Sequence, residues 1–278
     1  MKNTLVLRMG ALMMVMGGLW LGNSQQPGLT VEKIADDLHV IVGNGGNVAV
    51  FTTDDGLILV DDKFEKDVPE ILAKVKAIST KPIRYIINTH HHGDHTGGNL
   101  KMMEAMPGLE IVQHKNAREK MVAGKMPGIP RLTFGSETAI HLGGKEVRAY
   151  YFGRGHTNGD ITVLFPAHRV MHLGDMFNTG GPFIDYAGGG SGVEWTKSIY
   201  NALKLEADTV IPGHGPISKK SDLAAWNAKF ETLRNRLQTL KKQGQSKEDA
   251  IAAIQVDDLG WGVPGLKQRA LPGLFDEL

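Results

Sequence analysis

Histidines and an aspartate crowd one short stretch of the chain. Residues 90–95 read HHHGDH, so four histidines and one aspartate lie within six positions. Imidazole and carboxylate groups together suit a borderline divalent cation, above all zinc. Because alternate residues of a loop can turn the same way, His90 and His92 can reach one ion, while Asp94 and His95 are displaced toward a second. The alternative interpretation of this stretch alone is a surface histidine tract with incidental metal affinity.

Three further residues of ligand type follow later in the chain, each directly after a glycine: His156, Asp175 and His214. Asp175 and His214 come after predicted strands at 170–173 and 209–211, and His156 lies between two predicted strands. Strand ends are where α/β sheets build their sites. One such residue would be a weak signal, but three of them after an H-x-H-x-D-H stretch favour a metal site over a histidine tract.

Alternating and continuous apolar runs predict the elements that must position these residues. Strands are predicted at 39–42, 48–52, 57–60, 84–88, 138–141, 146–152, 161–165, 170–173 and 209–211. Helices are predicted at 68–78, with Asp67 as its cap, at 193–205, from about 221 to Gly244, and again from Ser246. The tail from Gly260 has no clear period. The strand–helix–strand order at 57–88 predicts a sheet that is at least partly parallel.

Composition excludes several classes of function. The chain has 278 residues, of which 41% are hydrophobic, so it has the material for a folded core. Its 31 basic and 30 acidic residues nearly cancel, which argues against a dedicated nucleic-acid-binding protein. Cysteine is absent, and this excludes a thiolate nucleophile, a disulfide framework and a Cys-ligated metal.

The N-terminal segment has the pattern of an export signal. Lys2 and Arg8 precede a 14-residue apolar run at 9–22, which is too short for an ordinary membrane-spanning helix. We therefore predict that residues 1–24 are a signal peptide or an uncleaved anchor, with a buried helix as the remaining alternative. The rest is predicted as a metallo-hydrolase domain at 25–245 and a C-terminal helix and tail at 246–278. The mature protein is then expected to be exported, periplasmic or secreted.

Over residues 31–218 the ligand pattern resembles the metallo-β-lactamase superfamily. The resemblance implies an α/β fold, an αββα sandwich of two mixed β-sheets flanked by helices. It also implies two Zn²⁺ per chain. Carried over residue by residue, it implies a first zinc held by His90, His92 and His156, a second held by Asp94, His95 and His214, a bridge from Asp175, and support from Asp61 behind the ligands.

The resemblance also implies a reaction. It predicts an exported zinc-dependent hydrolase that cleaves a small amide or ester, such as a β-lactam, by attack of a metal-bound hydroxide. Asp94 is the expected catalytic carboxylate, which orients the nucleophile and relays its proton. Asn158 could donate a hydrogen bond to the substrate oxyanion or equally be a turn residue.

The residue at position 175 leaves other functions open. Many metallo-β-lactamases have cysteine there, whereas Asp175 is the pattern of glyoxalase II-like thioesterases and lactonases. The alternatives are therefore a thioester or lactone hydrolase resembling glyoxalase II and, from another class, a non-catalytic metal-binding accessory protein.

The expected partner is a small-molecule substrate. No nucleic acid is expected, and no membrane unless the N-terminal segment is an uncleaved anchor. The oligomeric state is left open. Two loops could border the site: the glycine-rich hairpin tip at 43–47, which could move as a flap, and the loop at 178–195, which could supply an aromatic wall.

Overall fold

The computed structural model describes residues 28–278. The predicted signal peptide at 1–24 lies outside the described residues. Within the described part, no helix combines the length and the apolar character needed to cross a bilayer.

The first sheet has seven strands in sequence order. They are β1 (Thr30–Ala35), β2 (Leu38–Val42), β3 (Val48–Thr52), β4 (Leu57–Val60), β5 (Ile83–Asn88), β6 (Glu110–His114) and β7 (Leu132–Phe134). The pairs from β1 to β4 are antiparallel, and those from β4 to β7 are parallel. The sheet is mixed, as the strand–helix–strand pattern predicts.

The second sheet has six strands in the order β13-β12-β11-β10-β9-β8. They are β8 (Glu137–Leu142), β9 (Lys145–Tyr150), β10 (Thr162–Phe165), β11 (Val170–His172), β12 (Thr209–Ile211) and β13 (Ser218–Lys219). Only β11 and β12 run parallel, and every other pair is antiparallel. Apolar side chains of both sheets, among them Phe51 and Phe165 at 5.3 Å between ring centroids, form one shared core.

Helices cover the outer face of each sheet. They are α1 (Val68–Ile78), α2 (Gly93–Thr96), α3 (Asn99–Ala105), α4 (Lys115–Ala123), α5 (Gly192–Ala202), α6 (Lys220–Lys242), α7 (Lys247–Ala253), α8 (Val263–Arg269) and α9 (Leu271–Glu277). Buried residues of α1 and α3 pack on the first sheet, and those of α5, α6, α7 and α9 pack on the second. The predicted αββα sandwich of two mixed sheets is confirmed.

Several local predictions differ from the structure. The side chain of Asp67 makes no capping hydrogen bond, although α1 begins at the next residue. The strand predicted at 146–152 ends at Tyr150, and the helix predicted at 193–205 ends at Ala202. The tail without a clear period contains α8 and α9, because each of their prolines occupies a first turn, where proline begins a helix.

The C-terminal segment packs into the same core as the second sheet. Trp261 lies 5.7 Å from Trp226 of α6, measured between ring centroids, and both are buried. The carboxylate of Glu277 in α9 accepts hydrogen bonds from the Gly192 amide, the Ser191 hydroxyl and the Tyr186 hydroxyl. An anion at the first turn of a helix is stabilised there by the unpaired amides. This contact joins α9 to the loop that precedes α5.

Candidate metal centre

The predicted ligands meet because the ends of four strands meet. Asp61 directly follows β4, and His90 follows its parallel neighbour β5 by two residues. In the second sheet, Asp175 and His214 each come three residues after the parallel strands β11 and β12. Parallel strands bring their carboxyl ends to the same edge of a sheet. The Asn47 amide then donates to the Gly213 carbonyl at 2.7 Å and joins the edges of the two sheets.

One group of side chains, here called the three-histidine cluster, consists of His90, His92 and His156. A ring nitrogen of each lies within 4.8 Å of a ring nitrogen of the other two. The His92 Nδ1 and His156 Nε2 atoms are only 2.9 Å apart. His90 and His156 are buried, and His92 is partly exposed. These are the three residues that the resemblance places on the first zinc.

Hydrogen bonds fix which nitrogen of each ring in the three-histidine cluster carries the proton. His92 Nε2–H donates to Asp185 Oδ2 at 2.9 Å, and His156 Nδ1–H donates to the Phe183 carbonyl at 2.6 Å. His90 Nδ1–H faces the Thr89 hydroxyl oxygen at 3.1 Å. The other nitrogen of each ring is therefore bare and faces the other two rings. Such outer partners hold metal-binding histidines in the correct tautomer and orientation.

A second group, here called the mixed cluster, consists of Asp94, His95 and His214. The His214 Nε2 atom lies 3.2 Å from an oxygen of Asp94 and 3.4 Å from His95 Nε2. Asp175 lies between the two clusters. One of its oxygens is 3.2 Å from His95 Nε2 and 3.3 Å from His214 Nε2, and the other is 3.7 Å from His156 Nε2. The residues predicted to hold and to bridge two ions are thus brought together in the predicted groups.

Asp61 supports both clusters from behind. Its carboxylate is fully buried and accepts from the Thr89 amide at 2.7 Å, from the Thr89 hydroxyl at 2.8 Å and from His95 Nδ1–H at 2.7 Å. The Thr89 hydroxyl in turn faces His90. Asp61 has a φ of +65°, a left-handed conformation that residues other than glycine seldom adopt. The strand end is therefore held in an unfavourable backbone conformation that places this carboxylate under the site.

The two clusters differ in their protonation. Burial lowers the pKa of His156, and burial together with the charge on His95 lowers the pKa of His90 well below its usual value. Burial acts in the same direction on His95 and His214, but carboxylates overcome it. Asp175 and Asp61 raise the pKa of His95 well above its usual value, and Asp175 and Asp94 raise that of His214 to about 9.

The donor atoms fit a pair of divalent metal ions. In the three-histidine cluster, two bare nitrogens at 2.9 Å repel each other unless a cation lies between them. The His90 Nε2 atom is buried and has no hydrogen-bond partner among the described residues. Imidazole nitrogens and carboxylate oxygens are the ligands that zinc prefers in the absence of cysteine. Three protein ligands on one ion also leave room for water or substrate.

A cleft of about 420 Å³ opens above the clusters. Four predicted ligands, His92, Asp94, Asp175 and His214, contribute to its floor, and residues 178–181, Phe183 and Arg269 form a wall. The predicted aromatic wall of the loop at 178–195 is thus present at Phe183, which is 37% exposed.

The hairpin tip at 43–47 is fixed in place. The Asn47 side-chain amide is buried and donates to the carbonyls of Pro212 and Gly215 at 2.9 and 3.0 Å. The Lys63 ammonium group donates to the Gly46 carbonyl at 2.5 Å. A Cβ atom on Gly46 would lie 2.2 Å from the His95 ring, so only glycine allows this close approach. These contacts hold the tip against the mixed cluster, whereas the sequence suggested a movable flap.

Asn158 does not line the cleft. Its side-chain oxygen accepts from the Tyr151 hydroxyl at 3.1 Å and from the Asn116 amide group at 3.2 Å. These contacts engage the oxygen and not the Nδ2 donor, so the oxyanion and turn interpretations of Asn158 both stay predictions. His91 lies beside Asp185, with its Nε2 atom 3.9 Å from Oδ2, and burial lowers the pKa of His91 to about 4.

Sequence reasoning missed Asp185, which binds His92 directly. Its other oxygen accepts from the Gly188 amide at 2.8 Å, and the hydrogen bond from His92 holds the pKa of Asp185 well below its usual value. The only signal in the sequence was an acidic residue within a glycine-rich loop. Nothing in that pattern indicates a partner 93 residues away.

Comparison with known proteins supports the resemblance to the metallo-beta-lactamase superfamily. The sequence profile described as "Metallo-beta-lactamase superfamily" matches residues 41–214. The chain is 29% identical over 188 residues to a metallo-beta-lactamase type 2 from Bacillus cereus, covering 63% of this chain and 68% of the relative. It is 38% identical over 202 residues to a hydroxyacylglutathione hydrolase from Crocosphaera subtropica, covering 66% and 72%.

A solved structure also shares the fold. The crystal structure of DIM-1 metallo-beta-lactamase superposes with a TM-score of 0.66 at 22% identity, covering 75% of this chain and 99% of that one.

Proposed function

This chain belongs to the metallo-beta-lactamase superfamily, whose relatives are metal-dependent hydrolases, and we propose that it is an exported two-zinc hydrolase of a small amide or ester. The observation that carries the proposal is the pair of donor clusters, with Asp175 between them, on the floor of an open cleft. The match to a metallo-beta-lactamase from Bacillus cereus makes a β-lactam the first substrate to test.

The residues for each ion follow from the two clusters. The three-histidine cluster would hold one ion and the mixed cluster the other, with Asp175 in reach of both. When bound, the ions activate a water molecule as nucleophile and polarise the scissile carbonyl. Asp61, Asp185 and the Phe183 carbonyl keep the imidazole rings oriented, so little rearrangement is needed when substrate arrives.

Asp94 is placed to handle the proton of the nucleophile. Its carboxylate borders the cleft and is partly exposed, in contrast to the buried Asp61. Burial raises its pKa, but the hydrogen bond with His214 and the charge on His95 hold the pKa of Asp94 below its usual value. The carboxylate is therefore ionised at neutral pH and can accept a proton, then deliver it to the leaving group.

Thioester hydrolysis is the second candidate reaction. Two observations favour it: the carboxylate at position 175, and the 38% identity to a hydroxyacylglutathione hydrolase, which exceeds the identity to the lactamase from Bacillus cereus. Both reactions use the same attack on a carbonyl carbon, and they differ in the leaving group and in the walls of the cleft.

The deciding experiment compares substrates on one zinc-loaded preparation of residues 25–278. Turnover of a chromogenic cephalosporin, an acyl-glutathione thioester and a lactone is measured before and after chelation, and zinc per chain is counted. We expect two zinc ions and a kcat/KM of about 10⁴ M⁻¹s⁻¹ or more on the cephalosporin. The Asp94→Asn variant, which retains an oxygen donor but loses the proton acceptor, serves as the inactive control.

Each other outcome selects an alternative. Preference for the thioester or the lactone would move the function to the glyoxalase II-like class. Two bound zinc ions without turnover of any of the three would favour a non-catalytic accessory protein. Fewer than about one zinc per chain in excess metal would overturn the metal centre itself.

The proposal of export rests on the apolar run at 9–22. Expression of the full chain in a bacterial host, followed by N-terminal sequencing of the protein released from the periplasm, tests it. A new N-terminus near residue 25 is expected. Retention of residues 1–24 on membrane-bound protein would identify an anchor, and retention on cytoplasmic protein would overturn export.

A further inference from the structure

One loop, residues 183–191, supplies the outer partners of two rings in the three-histidine cluster. The Phe183 carbonyl accepts from His156 Nδ1–H, and the Asp185 carboxylate accepts from His92 Nε2–H. A hydrogen bond requires a donor–acceptor separation of about 3 Å, so a small displacement of this loop would break both contacts. The orientation of both rings therefore depends on what holds the loop in place.

The carboxylate of Glu277, the last residue of α9, accepts four hydrogen bonds from this loop and from the start of α5. Oε2 accepts from the Tyr186 hydroxyl at 3.1 Å and from the amides of Gly192 and Val193 at 2.8 and 3.3 Å, and Oε1 accepts from the Ser191 hydroxyl. The two amides belong to the first turn of α5, where a negative charge is favoured. Every partner is a donor, so a carboxylate, which offers acceptors alone, satisfies all four.

Tyr186 connects this carboxylate to the metal centre, because it directly follows Asp185 in the chain. Its ring packs on the backbone of α9, where a Cβ atom on Gly273 would lie 2.1 Å from the ring. Burial and the charge on Glu277 raise the pKa of the Tyr186 hydroxyl, so this hydroxyl stays protonated and donates to the carboxylate.

Backbone hydrogen bonds attach the same loop to the segment that contains His156. The Asp185 amide donates to the His156 carbonyl at 2.8 Å, and the Ser191 amide donates to the Gly155 carbonyl at 2.9 Å. These bonds make the loop and the His156 segment one unit. The contacts of Glu277 then join that unit to α9, so removing them should loosen the loop without releasing it.

We propose that Glu277 is a positioning residue for the metal ion of the three-histidine cluster. By holding residues 183–191 against α9, its carboxylate keeps Asp185 and the Phe183 carbonyl on the ring protons of that cluster. The inference rests on the proposed function, because it assumes an ion at this cluster, and it adds a remote determinant of metal affinity. Glu277 does not line the cleft, and it lies outside 41–214, the part of the chain that the family profile matches.

Competition with a chromogenic zinc chelator tests the assignment on wild type, Glu277→Gln, Tyr186→Phe and Asp276→Asn. Glu277→Gln replaces one acceptor oxygen by an NH₂ group, which cannot accept. Tyr186→Phe removes one of the four hydrogen bonds and keeps the ring against Gly273. Asp276→Asn is the matched control on the same helix, because the carboxylate of Asp276 pairs with Lys247 at the surface.

Glu277→Gln should lower the affinity of the three-histidine cluster for its ion by about 3- to 10-fold. This is less than the roughly 10- to 100-fold typical of a direct outer partner, because the backbone hydrogen bonds of the loop remain. The affinity of the mixed cluster should stay the same. Tyr186→Phe should show a smaller loss at the same cluster, and Asp276→Asn should behave as wild type.

A second readout uses the metal-free protein. Long-range ¹H–¹⁵N spectra show which nitrogen of each imidazole ring carries the proton. Wild type and Asp276→Asn should show His92 protonated at Nε2 and His156 at Nδ1, whereas Glu277→Gln should show mixed tautomers of both rings. The same spectra, recorded during addition of zinc, identify the cluster that each ion enters.

The free energy of unfolding of each variant separates positioning from stability. A less stable Glu277→Gln protein with wild-type tautomers and wild-type affinities would overturn the inference, and so would an equal loss of affinity at both clusters. Either result leaves the proposed function intact. If Glu277→Gln does not fold, wild-type tautomers and affinities in Tyr186→Phe would overturn the inference. Wild-type protein that binds no zinc would overturn the inference and the proposed function together.

Discussion

The three-histidine cluster and the mixed cluster lie side by side but are prepared for metal in opposite ways. In the first, burial keeps His90 and His156 neutral, and the ring protons are held by Asp185 and the Phe183 carbonyl. In the second, carboxylates keep His95 and His214 protonated. The same residue type therefore takes two protonation states within one site, according to whether desolvation or neighbouring charge dominates.

The second contrast is exposure. His90 and His156 are buried, whereas the His214 side chain is 39% exposed and lies at the cleft. The protons on His95 and His214 must leave before an ion can bind the mixed cluster, whereas His90 and His156 present bare nitrogens to an ion. We expect the first ion to enter the three-histidine cluster and the second to respond to pH.

Removal of both ions should have the largest effect on activity. Metal ions contribute several kcal/mol to stabilising the transition state, so chelation should reduce kcat/KM by about 10³-fold or more. Addition of zinc in steps should restore turnover, and the metal content at each step is measured in parallel. Full activity in chelated protein that contains no metal would contradict the two-ion site.

Between about pH 8 and about pH 6, the zinc affinity of the mixed cluster should fall by about 10²-fold or more relative to that of the three-histidine cluster. Below about pH 9, His214 carries a proton in the metal-free protein, and this proton must leave when the imidazole binds an ion. The raised pKa of His95 gives the mixed cluster a second proton to lose, so its affinity should fall by at least about 10-fold for each pH unit lost between about pH 8 and about pH 6. His90 and His156 are already neutral over this range, so their contribution to the first affinity should stay flat. Calorimetric titrations in two buffers of different ionisation enthalpy count the released protons. Equal pH slopes for the two ions would refute the contrast.

Asp61→Asn should lower the affinity of the mixed cluster for its ion by about 10- to 100-fold. This is the usual effect of losing an outer hydrogen-bond partner of a ligand. The amide cannot accept from the Thr89 amide, the Thr89 hydroxyl and His95 together as the carboxylate does. The measurement is competition with a chromogenic zinc chelator. Because Asp61 is fully buried, the free energy of unfolding is measured alongside it, and the folded variant is identified by its circular dichroism. An unchanged second affinity would show that His95 is oriented by other contacts.

Asp185→Asn should have the smallest of the four effects. It should lower the affinity of the three-histidine cluster for its ion by about 10-fold. The amide oxygen can still accept from His92, and the side chain is partly exposed, so water replaces part of the lost interaction. Chelator competition with Asp61→Asn as the matched variant checks the order of the effects. Suppose the mixed cluster lost affinity for its ion while the affinity of the three-histidine cluster stayed the same. The loop that contains Asp185 would then act on the mixed cluster instead.

The sequence by itself determined the ligand types and their grouping along the chain. Residues 90–95 form one short segment after β5, three residues of loop and then the first three of α2, in which local spacing decides which side chains share a direction. The glycine before Asp175 also answers a local requirement, because Gly174 has a φ of +50°. Gly155 and Gly213 instead make room for distant side chains, since a Cβ atom would lie 2.2 Å from Met176 Sδ and 2.0 Å from Asp175 Oδ1. Apolar periodicity likewise predicted most strands and the helix pattern, since burial of one face leaves a regular trace in the residue order.

Only the tertiary structure decided the protonation and the surroundings of these ligands. Asp185 lies 93 positions from His92, and the Phe183 carbonyl belongs to the backbone, so neither contact leaves a trace in residue spacing. The fixed hairpin tip at 43–47 depends on Asn47 reaching carbonyls more than 160 residues away. Arg269 reaches the cleft through α8, a helix too short to show a period of its own. Burial, hydrogen-bond direction and charge proximity arise when distant segments pack together, and these three properties set the pKa values and bound the substrate cleft.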